Sequence, residues 1–228
     1  MSNITLAPSL LAADVARLGE EAQAVLTAGA DVIHLDIMDN HFVPNLTFGP
    51  DVCRALRNTG ITAPIDVHLM INPVESMIDR FADVGASWIT IHAPACDNVQ
   101  TSLDHIHKRG CLAGLALNPD ENIDTIAPFL ASLDLVLMMS VFPGFGGQTF
   151  IPETLDRLRA IRTMIEAQPR EIKLSVDGGV HQDNIAEAHA AGADTFVMGT
   201  GIFSAEDYED RIKAIQAVID GDPASSAG

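Results

Sequence analysis

Short runs of aliphatic and β-branched residues alternate along this chain with longer stretches whose apolar positions recur at helical spacing. The runs fall at residues 4–8, 32–37, 65–70, 88–92, 111–117, 135–139, 172–176 and 195–198. Largely apolar runs of this length suit strands covered on both faces, as in a parallel sheet. The periodic stretches predict helices near 14–28, 50–59, 74–84, 98–109, 121–131, 153–167, 182–191 and 205–219. Eight strand–helix units in 228 residues fit an α/β fold, a single-domain (β/α)8 TIM barrel. An open doubly wound sheet has fewer strands and a glycine-rich first turn, whereas the turn here reads Ser9-Leu10-Leu11-Ala12-Ala13. An echo supports repeated units: Ala28-Gly29-Ala30-Asp31, Val84-Gly85-Ala86-Ser87 and Ala191-Gly192-Ala193-Asp194 each precede a predicted strand. Glycine just past a helix is a left-handed cap, so one helix-to-strand joint is used three times. The barrel is expected over 1–219. Residues 220–228, rich in Gly, Ala, Ser, Asp and Pro, read as a flexible tail.

Composition narrows the partners. With 47% hydrophobic residues and only 5% aromatics, the core must be aliphatic. A net charge of −18 argues against nucleic acid, whose affinity comes mainly from Lys and Arg neutralising phosphates. No apolar run approaches the roughly 18–20 residues of a membrane helix, so no membrane partner is expected. Residues 1–13 carry no Lys or Arg ahead of their apolar stretch and do not read as a signal peptide. Cys53, Cys96 and Cys111 are odd in number and widely spaced, which implies neither a disulfide framework nor a zinc cage. A reducing, cytoplasmic setting follows as the expectation.

The chemistry gathers where polar residues interrupt apolar strands. His34, Asp36 and Met38 alternate onto one strand face, and His68 and Met70 repeat that pattern on the next. Asp177 ends the seventh strand. All lie at strand C-termini, the face on which barrel enzymes build their sites. Two imidazoles and two carboxylates converging there suit a divalent cation such as Zn, Fe, Mn or Co. The plain alternative, two core histidines each bonded to a carboxylate, leaves two carboxylates to repel and desolvate without a cation. Met38, Met70 and Met139 either fill the core, as methionine commonly does, or line this site.

A second constellation is glycine-rich. Pro143-Gly144-Phe145-Gly146-Gly147-Gln148 follows strand six, Gly178-Gly179 follows strand seven and Gly199-Thr200-Gly201 follows strand eight. Such loops bring backbone N–H groups close to an anion, and barrel phosphate sites often form from the last such loops. No lysine is required for that. His105, His107, His181 and His189 lie in or beside predicted helices and are expected at the surface. The acidic group Glu206, Asp207, Glu209 and Asp210 suits the N-terminal end of the last helix.

Taken in order, Leu6-Ala7-Pro8-Ser9-Leu10, His34-Leu35-Asp36-Ile37-Met38-Asp39, Phe42-Val43-Pro44-Asn45-Leu46-Thr47, Asp66-Val67-His68-Leu69-Met70, Met139-Ser140-Val141, the strand-six loop and Val176-Asp177-Gly178-Gly179-Val180 resemble the signature segments of the ribulose-phosphate 3-epimerase family. The resemblance runs from about residue 4 to about 215. It implies an isomerase that interconverts D-ribulose 5-phosphate and D-xylulose 5-phosphate, in the pentose phosphate pathway or the Calvin cycle. It further implies that His34, Asp36, His68 and Asp177 hold one divalent metal and that Asp36 and Asp177 are the acid–base pair. Ser9, His68, Met38, Met70 and Met139 match the family's substrate contacts, and Gly144, Phe145, Gly146, Gly147, Gly178, Gly179, Gly199 and Thr200 match its phosphate grip. A homo-oligomer, dimer or hexamer, is implied too.

The sequence departs from the family pattern at four places. Phe142 stands for the usual Asn, Ser175 for the usual Glu, His92-Ala93-Pro94 for His-Pro-Glu, and Thr200-Gly201 for Ser-Ala. Among rivals, a D-allulose 6-phosphate 3-epimerase tends to carry Ala where Gly146-Gly147 stands here. A metal-free decarboxylase or synthase barrel needs a lysine at a strand end, yet Lys173 lies early in its strand. A non-catalytic phosphate-binding barrel would lack the aspartate pair.

Overall fold

The computed structural model describes residues 4–221. Eight strands form one all-parallel sheet: β1 (Thr5–Pro8), β2 (Ile33–Met38), β3 (Ile65–Met70), β4 (Trp88–His92), β5 (Leu112–Leu117), β6 (Leu135–Met139), β7 (Lys173–Asp177) and β8 (Thr195–Met198). From β2 to β8 each strand pairs with the next in the chain, and β1 pairs with β8. Between β1 and β2 the ring is drawn together by a bridge from Ser9 to His34 and by the Val32 N–H donating to the Leu6 carbonyl at 3.2 Å. The result is the expected (β/α)8 barrel.

Side-chain alternation along each strand divides the apolar residues into two layers. Ala7, Val32, Trp88, Ala116, Leu135, Leu137, Met139 and Val197 form a cluster of their own, which fills the barrel interior. The alternate positions, among them Leu6, Leu35, Val67, Ile89, Leu115, Val136, Leu174 and Phe196, pack outward against the helices in a larger cluster. Those helices are α1 (Leu18–Thr27), α2 (Pro50–Asn58), α3 (Glu75–Asp83), α4 (Val99–Lys108), α5 (Thr154–Glu166), α6 (Ile185–Ala190), the short α7 (Thr200–Phe203) and α8 (Tyr208–Ile219). No helix among the described residues is long and apolar enough to cross a membrane. Helix α8 stops where the barrel was expected to end. Residues 222–228 of the expected tail lie outside the described residues.

Two helices differ from expectation. The segment expected as a helix near 121–131 is a 3₁₀ helix, Ile123–Ser132, with Pro128 inside it. Proline has no N–H and its ring clashes with the carbonyl four residues back, so a regular α-helix cannot run through it. The helix expected at 14–28 opens as a separate 3₁₀ turn, Val15–Arg17, because the Asp14 carboxylate accepts the Ala16 N–H and holds Arg17. Regular α1 starts at Leu18.

The repeated joint is real, and its last residue has a task. Gly29, Gly85 and Gly192 take φ of +112°, +96° and +109°. Two residues later, a side chain accepts a backbone N–H from the previous strand: Asp31 from Leu6 at 2.8 Å, Ser87 from Ile65 at 3.2 Å, Asp194 from Leu174 at 3.1 Å. Asp134, just before β6, does the same for Ala113 at 2.9 Å. Guanidinium groups reinforce two of the joints, with Arg57 donating to the Gly85 carbonyl and Arg162 to that of Gly192. These ties fix the strand starts and so aim the opposite ends.

Candidate active site

At the strand C-termini, β2 and β3 lie in register so that His34 faces Asp66 and Asp36 faces His68. Asp177 ends β7, and its backbone is held from β6: the Ser140 N–H donates to the Asp177 carbonyl at 2.7 Å. The hydroxyl of Ser140 lies 2.8 Å from that carbonyl and 2.5 Å from the Gly178 carbonyl. One ligand atom from each of His34, Asp36, His68 and Asp177 can be chosen so that all four lie within 4.8 Å of one another. The four residues expected to hold a cation are therefore brought together.

The donor set fits a divalent cation. His34 Nε2 and His68 Nδ1 lie 3.3 and 3.2 Å from the same Asp36 oxygen, Oδ1, and His68 Nδ1 is 3.9 Å from Asp177 Oδ2. The second oxygen of Asp36 accepts the Ser9 hydroxyl at 2.5 Å. His34 turns its other nitrogen, Nδ1, to Asp66 Oδ2 at 2.8 Å, and His68 turns its Nε2 to His92. Metal-binding histidines characteristically carry such a partner on the far nitrogen.

Electrostatics split the two site aspartates. For Asp36, burial favours the neutral acid, but the charge and hydrogen bonds of His34 and His68 outweigh it and hold the carboxyl well below the usual range. For Asp177, burial and then the charge of Asp36 push the pKa up to about 7 against the pull of the two histidines. Two carboxylates in one pocket cannot both ionise freely, and the one with fewer partners keeps the proton. Burial opposes a charged His34, yet Asp36 and Asp66 drive its pKa well above normal.

A cleft of about 570 Å³, open mouth included, sits above this cluster. Ser9, Asp36, Asp177, Met38, Met70 and Met139 line its floor, and Gly144, Phe145, Gly146, Gly147, Gly178, Gly179, Gly199 and Thr200 line its rim. His34 and His68 are wholly buried beneath it. Every residue expected at the site thus lies on this cleft or directly under it. Gly179 shows why glycine is required on the rim. Its φ is +63°, and a Cβ there would sit 2.4 Å from the Phe150 nitrogen. Asn45 ties two rim loops together by donating to the Gly144 carbonyl at 2.7 Å.

The departures from the family pattern settle differently. Phe142 leaves its ring over half exposed, while its carbonyl accepts the Gln148 amide at 2.8 Å. The loop bonds therefore pass through its backbone. Ser175 is buried, and its hydroxyl has no partner among the described residues. Lys173 begins β7 at the barrel's far end, with its ammonium 5.9 Å from the centre of the Trp88 ring. It is not placed to act in the cleft. Three histidines expected at the surface are half-buried: His105 bonds Asp79, His189 donates to the Ala193 carbonyl, and His181 sits beside Gly201. His107 is exposed and bonds Asp134.

Asp66 and His92 were missed as site residues. Asp66 was legible as the position two before His68 on the same strand face. His92 also ends an apolar strand, but its link to His68 runs between β4 and β3 and leaves no mark in either strand's own pattern.

Comparison with known proteins agrees with the geometry. The sequence profile of the ribulose-phosphate 3 epimerase family matches residues 5–203. Ribulose-phosphate 3-epimerase of Serratia marcescens is 54% identical over 91% of this chain and 99% of its own, and that of Escherichia coli is 52% identical over 96% and 97%. Among solved structures, 3-hexulose-6-phosphate synthase from Salmonella typhimurium superposes with a TM-score of 0.69 at 15% identity, over 96% of this chain and 99% of its own. Orotidine 5'-phosphate decarboxylase from Pyrococcus horikoshii gives 0.67 at 18%, over 95% and 100%. Identities that low establish a shared barrel and nothing about activity. With a profile spanning most of the barrel and relatives matching at about half of all positions, the chain belongs to the ribulose-phosphate 3-epimerase family.

Proposed function

We propose that this isomerase interconverts D-ribulose 5-phosphate and D-xylulose 5-phosphate, with Asp36 and Asp177 moving the C3 proton. The observation that carries the reading is the pair itself: two carboxylates, on β2 and β7, both line one cleft beside two buried imidazoles. The C3 proton lies α to the C2 ketone, and inversion at C3 requires its removal from one face and a proton's return to the other. One carboxylate must start ionised and the other protonated, and before any cation binds the opposed shifts of Asp36 and Asp177 are in that sense. The roles exchange in the reverse direction. The Ser9 hydroxyl orients Asp36 through Oδ2. Met38, Met70 and Met139 give the reacting carbons a dry, adaptable wall. The glycine rim offers its backbone to the substrate phosphate.

His34, Asp36, His68 and Asp177 would hold the divalent metal. When bound, it supplies positive charge that stabilises the anion left when C3 loses its proton. Zn, Fe, Mn and Co all suit this mixed set. A dimeric or hexameric homo-oligomer, a cytoplasmic setting, and a division into a barrel at 1–219 and a tail at 220–228 complete the proposal.

The test is proton NMR of the purified protein with D-ribulose 5-phosphate in D2O, before and after chelation and metal return. Xylulose 5-phosphate deuterated at C3, lost on stripping and restored by the ion, is expected. Undiminished turnover in demonstrably metal-free protein overturns the metal assignment. A fully metallated protein that exchanges no C3 hydrogen overturns the reaction.

A further inference from the structure

His92 ends β4 in one of the departures from the family pattern, and the proposed reaction leaves it without a role. It is wholly buried. Its Nε2 lies 2.8 Å from Nε2 of His68, and the two rings stack with centroids 5.0 Å apart. Phe42 closes over it at 5.2 Å. Its other ring nitrogen, Nδ1, has no partner among the described residues. The contact with His68 is therefore the one that decides where its proton sits.

Two imidazole nitrogens at hydrogen-bond distance hold one proton between them. If that proton belongs to His92 Nε2, a neutral His68 carries its own proton on Nδ1, where it faces Asp36 and leaves no lone pair for a metal. If it belongs to His68 Nε2, the Nδ1 lone pair of His68 is free to face Asp36 and Asp177. The neighbouring ligand shows the same construction with the nitrogens exchanged. His34 gives its Nδ1–H to Asp66 and leaves Nε2 facing Asp36. We propose that His92 is a positioning residue, which accepts the Nε2–H of His68 and thereby keeps the Nδ1 lone pair of His68 turned toward the metal position. This rests on the metal reading above. It assigns the two histidine ligands different supports, a carboxylate for His34 and a neutral imidazole for His68.

The test compares His92→Phe, which fills the same space without an acceptor, with His92→Gln, whose carbonyl can still accept. Zinc affinity of the stripped full-length proteins is measured by competition with a chromophoric chelator. Loss of a ligand's outer partner typically costs about 10–100-fold in affinity. That loss is expected for Phe, while Gln stays within about threefold of wild type. Nitrogen-15 NMR of the wild-type imidazoles supplies a readout that a purely structural role would not set. In zinc-loaded protein His68 is expected protonated at Nε2 and His92 at Nδ1, and His92 keeps that form when zinc is removed. Wild-type zinc affinity in His92→Phe, or a proton on His92 Nε2, overturns the proposal. A wild-type protein that takes up no divalent ion defeats the metal reading instead, and the proton position on His92 in metal-free protein still decides this one. The spectra need no variant, so a His92→Phe protein that fails to fold leaves the question decidable.

Discussion

The two ends of the barrel carry similar residues and treat them in opposite ways. At the strand starts, Asp31, Asp134 and Asp194 each accept a backbone N–H from the previous strand. Asp134 also meets Arg170 and His107, and Asp194 meets Arg162 at 2.6 Å. At the strand ends, neither Asp36 nor Asp177 pairs with Arg or Lys among the described residues. Their charged neighbours are imidazoles and each other. A carboxylate answered by fixed donors stays ionised and holds structure, whereas one answered by titratable groups can take a proton or a cation. In barrels, stability gathers at the first end and chemistry at the second.

The largest effect should come from breaking the site end. Asp36→Asn and Asp177→Asn should each lower kcat/KM by about 10²–10⁴-fold, the scale of a lost acid–base group. The Asp177→Asn midpoint should stay near that of wild type, because the change relieves repulsion with Asp36, whereas Asp36→Asn should lower it by taking a charged partner from buried His34 and His68. Steady-state kinetics with calorimetry on the same samples checks both. Wild-type-like turnover in either variant breaks the two-aspartate mechanism.

The converse variant belongs at the other end. Asp194→Ala strips the Leu174 N–H and Arg162 of their shared acceptor. It should cost about 2–3 kcal/mol, since a buried donor loses a charged partner. For a chain of this size that lowers the midpoint by about 5–10 °C. Metal-saturated kcat at low temperature should be unchanged. A large fall in kcat with an intact midpoint would erase the contrast between the ends.

How legible this division was in the sequence depended on where the partners lie. The strands and the barrel could be read from apolar runs because burial on both faces leaves a local mark. His34, Asp36, His68 and Asp177 stood out as polar residues in such runs. Pro128 was also in plain view, but helical periodicity across residues 121–131 masked its effect. The support of His68 by His92 was not legible. It arises between β3 and β4, where His68 is in register with Thr90 and His92 stands two positions further on. Such diagonal neighbours are set by register and twist, which no single strand's pattern encodes. The acceptor role of Asp31, Ser87 and Asp194 was half legible. The echo marked the joint, while the N–H that each residue accepts belongs to a strand about 20–25 residues earlier, beyond any local motif.

The smallest effect sharpens the contrast through pH. Burial alone would raise the Asp134 pKa, but the Ala113 N–H, the His107 hydrogen bond and the charge of Arg170 together hold it below the ordinary value. A carboxyl with a depressed folded pKa stabilises the protein above its unfolded pKa, about 3.9, and loses that contribution as pH falls through the lower folded value. Asp134→Asn keeps an acceptor for the Ala113 N–H and removes the charge. Wild type should therefore exceed the variant by about 1 kcal/mol near pH 6, a figure reduced because the surrounding ion pairs are partly exposed. The gap should begin to narrow as pH falls below about 5 and go on narrowing through the depressed folded pKa. Urea unfolding of both proteins across that range measures it, and because both carry the same remaining acids, their difference isolates Asp134. A gap that does not narrow at all as pH falls from about 6 would mean that Asp134 acts through shape and hydrogen bonding alone. The strand-start end would then owe its stability to geometry, and fixed charge would no longer distinguish the two ends.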